Sequence, residues 1–369
     1  MSTTLPDATQ SPLDHLALRY LRAALDTAHP TDEPYVLNAV ETYVIRRVKL
    51  QTLLLSALLG ITGVLLLYMP QYWWPGFFPT FPVTVFEWSF QVPMVLTLYG
   101  ILLVYLEVYA LMYINLRAVR LIMAVCQFPR AHDAQYERHL NALAQAALER
   151  EDRGILRFGI DPYLGLPRWG LSAFFLVNMF KATLSNMVVK LVLKRVLGRY
   201  ALRYLTDLAG MPIFAFWNAL ASWHIIHEVQ IRVMAPLTIR EFVHELHEEW
   251  GDNETFRSLI LETLQYVAVL KRQYNYAHFL LTENIVDTFG LEISELSGNF
   301  IERAEAVPVE VRRGLERLIV FGVLIDGRLS GSEKKRLQKL RDKNWLTHYP
   351  ASTVAQLGRD YNDGKGLWV

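Results

Sequence analysis

The chain has 369 residues, enough for two or three domains of ordinary size. Its 37 Lys and Arg residues nearly balance its 36 Asp and Glu residues, so the net charge is +1 and a general polyanion-binding protein is excluded. The composition is 52% hydrophobic and only 20% charged, below the roughly 25% charge of typical soluble domains. A single cysteine, Cys126, excludes an intramolecular disulfide and a multi-cysteine metal site. Part of the chain is therefore expected to lie in lipid.

The N-terminal residues 1–49 are predicted to form a cytoplasmic helical arm. The first fifteen residues contain no Lys or Arg and no apolar stretch, so we expect no cleavable signal peptide and a retained N-terminus. Apolar residues then recur at helical spacing before the sequence HPTDEP breaks the pattern: Leu13, Leu16, Leu21 and Leu25.

Residues 50–116 are predicted to form a transmembrane helical hairpin, with spans at about 50–69 and 93–116. The first span contains no charged residue, and its twenty residues would cover roughly 30 Å, the thickness of the hydrocarbon core. The second span contains one charge, Glu107. Ser56 and Gly60 form a small-xxx-small pair that allows two helices to approach closely.

The basic residues around the hairpin predict its orientation. Arg46, Arg47 and Lys49 precede the first span and Arg117 and Arg120 follow the second, whereas loop 70–92 contains no Lys or Arg. Positively charged flanks stay in the cytoplasm, so both ends should face the cytoplasm and the loop should face outward. The loop is rich in aromatic residues that favour the headgroup level, among them Trp73, Trp74, Phe77, Phe78 and Trp88. A partner-docking patch or an oligomeric pore mouth is the alternative for this loop.

Glu107 is a candidate functional residue because a carboxylate inside a bilayer is costly. It could extend to the interface, stay protonated, or pair with a basic residue of another segment. A proton or ion role is the sharper alternative.

Residues 117–235 are predicted to form cationic, membrane-associated helices on the cytoplasmic side. No acid occurs between Asp161 and Asp207, and two apolar stretches flank the densest cluster of basic residues. We expect amphipathic or re-entrant helices on anionic lipid, because two extra spans would place this cluster outside the cell. The candidate lipid contacts are Lys181, Lys190, Lys194, Arg195, Arg199 and Arg203. No nucleic-acid-binding motif accompanies them.

Two His-Glu pieces could present metal ligands. The sequences HIIHE and HELHE each place two histidines three residues apart, on one face of a helix. The candidate ligands for zinc or iron are His224, His227, His244 and His247. Neither piece has the HExxH spacing of zinc proteases, and a solvated or inter-helix polar face is the plainer interpretation.

Residues 236–345 are predicted to form a C-terminal helical bundle, followed by a tail at 346–369. Two apolar helix faces are evident, one from Phe256 to Leu270 and one from Val311 to Ile319. At the junction IDGRLSGSE, Gly327 suits a left-handed turn and Ser330 with Glu333 forms a capping box. No strand pattern of useful length accompanies these helices, so the fold class is all-α.

This junction resembles the TerB-like domain of tellurite-resistance and related stress proteins. In that family an apolar helix ends in Asp-Gly, followed by a small polar cap and a Glu that opens the next helix. The resemblance implies an all-helical module at the inner face of a bacterial membrane, with Asp326 and Glu333 as the positions that match metal-binding acids.

Together these features predict a non-enzymatic scaffold or regulator in the inner membrane, with both termini cytoplasmic and a role in envelope or metal/oxyanion stress. Its expected partners are the lipid bilayer and other membrane proteins or further copies of itself, and no nucleic acid. A channel or transporter subunit using Glu107 is the first alternative, and a metal-dependent enzyme is the second. A divalent metal is the one cofactor left open.

Overall fold

The computed structural model describes residues 12–23, 36–85, 88–92, 94–129, 135–148, 158, 160, 210–272, 275–292 and 300–369. This part of the chain is mainly α-helical, as predicted. Its helices are α1 (Pro12–Arg22), α2 (Ala39–Trp73), α3 (Met94–Cys126), α4 (Tyr136–Ala147), α5 (Met211–Trp250), α6 (Glu254–Lys271), α7 (Tyr276–Phe289), α8 (Phe300–Glu305), α9 (Val309–Leu324), α10 (Gly331–Arg341) and α11 (Ala351–Asn362).

The chain divides into two compact units. The apolar unit comprises Arg47–Ala118 and Pro167–Ile226, and the helical body comprises Met1–Arg46, Val119–Leu166 and His227–Val369.

Helices α2 and α3 dominate the apolar unit, and both are longer than the predicted spans. They contain 35 and 33 residues, about 50 Å each at 1.5 Å per residue. Both are long and apolar enough to cross a membrane. They are not core helices, since only 22% and 0% of their most apolar windows is buried. Tyr99 Oη donates to the Leu66 carbonyl at 2.8 Å and ties the two helices together near the loop.

The loop between α2 and α3 contains a β-hairpin that the sequence prediction did not include. After a short 3₁₀ turn at Pro75–Phe77, β1 (Phe81–Val85) pairs with β2 (Trp88–Val92) in an antiparallel register, with Val83 opposite Phe90. Both strands are rich in the β-branched and aromatic residues that favour strands. Pro82 is compatible with this sheet because each strand of a two-stranded sheet is an edge.

The helical body has the core predicted for the C-terminal bundle. The predicted apolar residues of α6 and α9 are all buried, and the Phe242 ring of α5 stacks on Phe321 of α9 with centroids 3.6 Å apart. Asn253 caps α6, and Asn275 and Ser330 form capping boxes at α7 and α10, of which the last was predicted. Gly327 has a φ of +66°, as its turn position requires.

Both terminal regions of the chain contribute to this body. In α1 the residues Ala17, Leu18 and Leu21 are buried, and Arg22 pairs with Glu137 of α4 at 2.7 Å. The stretch 346–369, treated above as a tail, instead contains α11 and buries Tyr361 fully. The apolar spacing of Val354, Gly358 and Tyr361 is a helical signal that the prediction overlooked.

Candidate functional site

Glu107 lies in α3 of the apolar unit, and its hydrogen-bond partner is an amide of α5. Asn218 Nδ2 donates to Glu107 Oε1 at 2.7 Å. The second carboxylate oxygen, Oε2, lies against α2, where a Cβ added to Gly63 would be 3.0 Å from it. The carboxylate therefore lies between three helices and accepts a hydrogen bond from a neutral amide. This is the intramembrane candidate predicted from sequence, with a neutral partner that the prediction did not name.

Two further contacts hold the first turns of α5 against α2. Ser56 and Ser222 hydroxyls lie 2.7 Å apart and both side chains are buried. A Cβ added to Gly60 would lie 2.7 Å from the Phe214 carbonyl carbon, so the two backbones approach closely at that glycine. The small pair Ser56 and Gly60 thus forms the contact surface for α5, as small residues do between membrane helices.

The spacing of the polar residues of α5 that make these contacts could have predicted a partner helix from the sequence. Asn218 and Ser222 are four residues apart, so they share one face of the otherwise apolar stretch Met211–Ile226. A polar pair on one face of an apolar helix indicates a partner helix with complementary polar or small residues. The sequence interpretation considered this stretch only for its hydropathy.

The basic residues that flank the two predicted spans differ in their exposure and contacts. Arg46, Arg47 and Arg117 are exposed. Lys49 Nζ lies 5.1 Å from the centroid of the Trp223 ring, a cation–π contact within the apolar unit. Arg120, in the helical body, packs on the Tyr20 ring and donates to the Ala23 carbonyl at 3.3 Å.

The loop aromatics are largely exposed in the part of the chain that is described. Trp73, Trp74 and Phe77 expose 67%, 61% and 77% of their surface, and Phe78 packs near Tyr99. Trp88 belongs to β2, and its side chain lies outside the described atoms. The candidate lipid contacts Lys181, Lys190, Lys194, Arg195, Arg199 and Arg203 also lie outside the described residues.

The four histidines predicted as metal ligands have separate surroundings. His224 is exposed beside Trp223, His227 is buried near Gly327, His244 pairs with Glu248 at 3.3 Å, and His247 contacts the Phe289 ring. Among the described residues, no group of three or more His, Cys, Asp or Glu side chains could hold a metal ion. The described geometry therefore gives no support to the metal-dependent enzyme.

Asp326 and Glu333 do lie together, and a lysine ammonium lies between them. Lys271, the last residue of α6, is within 2.9 Å of both Asp326 carboxylate oxygens and 3.1 Å of Glu333 Oε2. Its Nζ also donates to the Arg328 carbonyl at 2.8 Å and the Val323 carbonyl at 3.2 Å. We call this group of one ammonium and its five oxygen neighbours the Lys271 cage. All three charged side chains are at least nine-tenths buried.

The turn between α9 and α10 builds the oxygen side of the Lys271 cage. Asp326 Oδ1 accepts from the Arg328 amide at 3.0 Å, and Glu333 Oε2 accepts from the Ser330 amide at 2.9 Å. The capping box thus orients Glu333 toward Lys271 as well as starting α10. Lys271 was missed by the sequence analysis, although it follows Leu264 and Val267 at helical spacing on the buried face of α6.

The electrostatics of the cage favour an ionised aspartate. Burial acts to raise the pKa of Asp326, but the Lys271 ammonium and the surrounding hydrogen bonds outweigh it and hold the pKa below its usual value. Neighbouring His278 contacts the Gly322 carbonyl at 2.9 Å through Nε2. Burial lowers the pKa of His278 to about 4, so this ring is neutral at physiological pH.

The cage does not fit the divalent metal that the family resemblance implies. Lys271 Nζ occupies the position between the two carboxylates that a shared metal ion would need. No protein family, curated protein or solved structure matches the chain. The TerB-like resemblance therefore stays a prediction based on the Asp326–Glu333 junction alone.

Proposed function

We propose that this chain is an integral inner-membrane protein whose helical body serves as a non-enzymatic scaffold or regulator. The observation that carries the proposal is the apolar surface of α2 and α3. Their large exposed side chains expose about half of their surface or more. This group includes Leu54, Leu58, Leu98, Ile101, Leu102, Val104 and Val108. Transfer of a whole Leu, Ile or Val side chain from water to an apolar environment is favourable by about 1.5–3 kcal/mol of free energy, so the lipid core is the favourable environment for this surface.

The basic flanks support an orientation with both ends of the hairpin in the cytoplasm. The exposed guanidiniums of Arg46, Arg47 and Arg117 are available to anionic headgroups of the inner leaflet. The loop with Trp73, Trp74 and Phe77 would then lie at the outer headgroup level.

The first turns of α5 extend this anchor. Gly60 is at the middle of the predicted first span, and Phe214 contacts it. Ser222 and Asn218 make their hydrogen bonds within the same unit. We therefore assign Met211–Ile226 to the bilayer, packed beside α2 and α3, rather than to the surface of the leaflet.

The scaffold role is supported by ion pairs in the body that link one helix to another. In the Lys271 cage one ammonium pairs with two buried carboxylates, and Arg317 bridges Glu245 and Glu249 of α5 at 2.5 and 3.0 Å. These are ion pairs that fix helices in place. We place the scaffold in envelope or metal/oxyanion stress on the resemblance of the Asp326–Glu333 junction to TerB-like domains alone.

A transport or channel subunit is the second candidate function, favoured by the Glu107–Asn218 pair. A carboxylate within a membrane-spanning helix is a common element of ion and proton pathways. In reconstituted vesicles, a scaffold predicts no ion or proton flux that depends on Glu107. Flux abolished by Glu107→Gln would favour transport instead.

The membrane topology can be tested with single cysteines. In a Cys126→Ala background, Pro79→Cys in the loop should react with a membrane-impermeant maleimide in sealed cells, whereas Ser352→Cys on α11 should react only after permeabilisation. Both positions are exposed in the folded chain. Extraction of the chain by alkali without detergent would contradict the membrane anchor, and labelling of position 352 in sealed cells would contradict the orientation.

A further inference from the structure

The Lys271 cage has the composition of a cation-binding site. Two carboxylates and two backbone carbonyls converge on one point, and these are the oxygen donors that hard cations prefer. The Val323 carbonyl comes from the last turn of α9, where the helix dipole also favours positive charge. The cage is buried, so an uncompensated pair of carboxylates there would be strongly unfavourable.

The size of the cage fits an ammonium ion better than a divalent metal. The oxygens lie between 2.8 and 3.2 Å from Nζ. Calcium takes its oxygens at about 2.3–2.6 Å and magnesium at about 2.0–2.1 Å, so either ion would need the shell to contract. All five oxygens lie at ordinary hydrogen-bond lengths from Nζ, and the three donors of a primary ammonium can be shared among them.

We propose that Lys271 is a permanent internal cation of the helical body, and that the cage becomes a binding site for a small primary alkylammonium ion when the lysine side chain is shortened. The cage is then filled by the lysine ammonium and needs no metal between its carboxylates. Truncation of Lys271 to Ala removes three methylene groups and the ammonium, which together have the shape of n-propylammonium. This proposal stands on the cage geometry alone and does not depend on the membrane function.

The first test uses the full-length protein in detergent, with Asp326→Asn as the comparison variant. Local stability is measured by amide hydrogen exchange in peptides from α6, α9 and α10. We expect no change when calcium, magnesium or a chelator is added. Protection that rises with a divalent ion and is lost in Asp326→Asn would overturn the proposal, because it would mean that the cage accepts a metal in the presence of the lysine.

The second test is chemical rescue of Lys271→Ala. We expect a loss of protection in α9 and α10 that n-propylammonium chloride restores in a concentration-dependent way. Sodium chloride at equal ionic strength controls for screening, and n-propanol controls for filling of the apolar part of the space. Equal recovery with either control, or no recovery with the amine in a folded variant, would refute the binding site.

A third comparison decides the case in which Lys271→Ala does not fold. Lys271→Met keeps most of the side-chain volume but leaves two unpaired carboxylates, and the unfolding equilibrium constant should rise on the order of 100-fold or more. Adding Asp326→Asn and Glu333→Gln should recover most of that loss. The exposed Lys335→Met on α10 is the matched control and should change little. A triple variant no more stable than Lys271→Met would show that charge compensation is not what Lys271 provides.

Discussion

Gly60 gives the most direct test of how α5 packs on α2. A Cβ at this position would lie 2.7 Å from the Phe214 carbonyl carbon, 2.8 Å from its oxygen and 2.9 Å from the Ala215 nitrogen. All three are backbone atoms, so no side-chain rotation can relieve the contact. Ordinary van der Waals contact begins at 3.4 Å, so Gly60→Ala requires the helices to separate by about 0.7 Å. Overpacking of this kind typically costs about 1–3 kcal/mol.

The separation should also weaken the hydrogen bond between Ser56 and Ser222, which lies one turn away. A net loss of about 1–3 kcal/mol lowers the ratio of packed to separated helices roughly 5- to 150-fold. The assay is disulfide formation between Ser56→Cys and Ser222→Cys in native membranes, with Cys126→Ala as background. The parent pair should cross-link efficiently, and Gly60→Ala should reduce the yield sharply.

Gly100 of α3 provides the matched control for this experiment. A Cβ there meets only Leu67 Cδ1 at 3.6 Å, an ordinary contact, so Gly100→Ala should cross-link like the parent. If Gly60→Ala cross-links as well as Gly100→Ala, the backbone approach at Gly60 is not a feature of the folded protein, and the placement of Met211–Ile226 beside α2 fails with it.

Two further predictions concern the buried polar groups. Glu107→Gln keeps an acceptor for Asn218 and should preserve the same cross-link, whereas Asn218→Leu leaves the carboxylate without its donor and should reduce the yield; the opposite order would refute the pairing. Unfolding of the body should depend on pH through His278, because its pKa is about 4 when folded and about 6.5 when unfolded. The unfolded state then binds the proton first, so stability is lost as pH falls from 6.5 toward 4, by an amount on the order of 3 kcal/mol. Denaturant titrations over this range should show that His278→Gln has a shallower pH dependence, and an unchanged slope would contradict the assignment.

Local patterns in the sequence were sufficient to predict several of the helices. The two apolar spans, the buried faces of α6 and α9, and the capping box of Ser330 and Glu333 all depend on residues within a few turns of one another. Hydrophobic periodicity and helix-capping residues depend on such near neighbours, so they can be recognised directly in the sequence. The β-hairpin and α11 carried similar local signals and were overlooked because hydropathy alone had assigned those stretches to a loop and a tail.

The hydrogen-bond partner of Glu107 and the ion-pair partner of Asp326 could not be predicted from such local patterns. Asn218 is 111 residues from Glu107, and Lys271 is 55 residues from Asp326. Which helices meet is decided by packing of the whole unit, and a single sequence contains no direct record of it. The sequence identified Glu107, Asp326 and Glu333 as unusual but left the groups that compensate them unknown.

The carboxylate of Glu107 and the two carboxylates of the Lys271 cage are stabilised in different ways. In the apolar unit Glu107 accepts a hydrogen bond from the neutral side-chain amide of Asn218. In the helical body two carboxylates share one lysine, and the Lys271 ammonium helps to hold the pKa of Asp326 below its usual value despite burial. The Lys271 ammonium lies where a metal shared by Asp326 and Glu333 would have to bind, so this pair of carboxylates does not favour the metal-dependent enzyme over the scaffold that we propose.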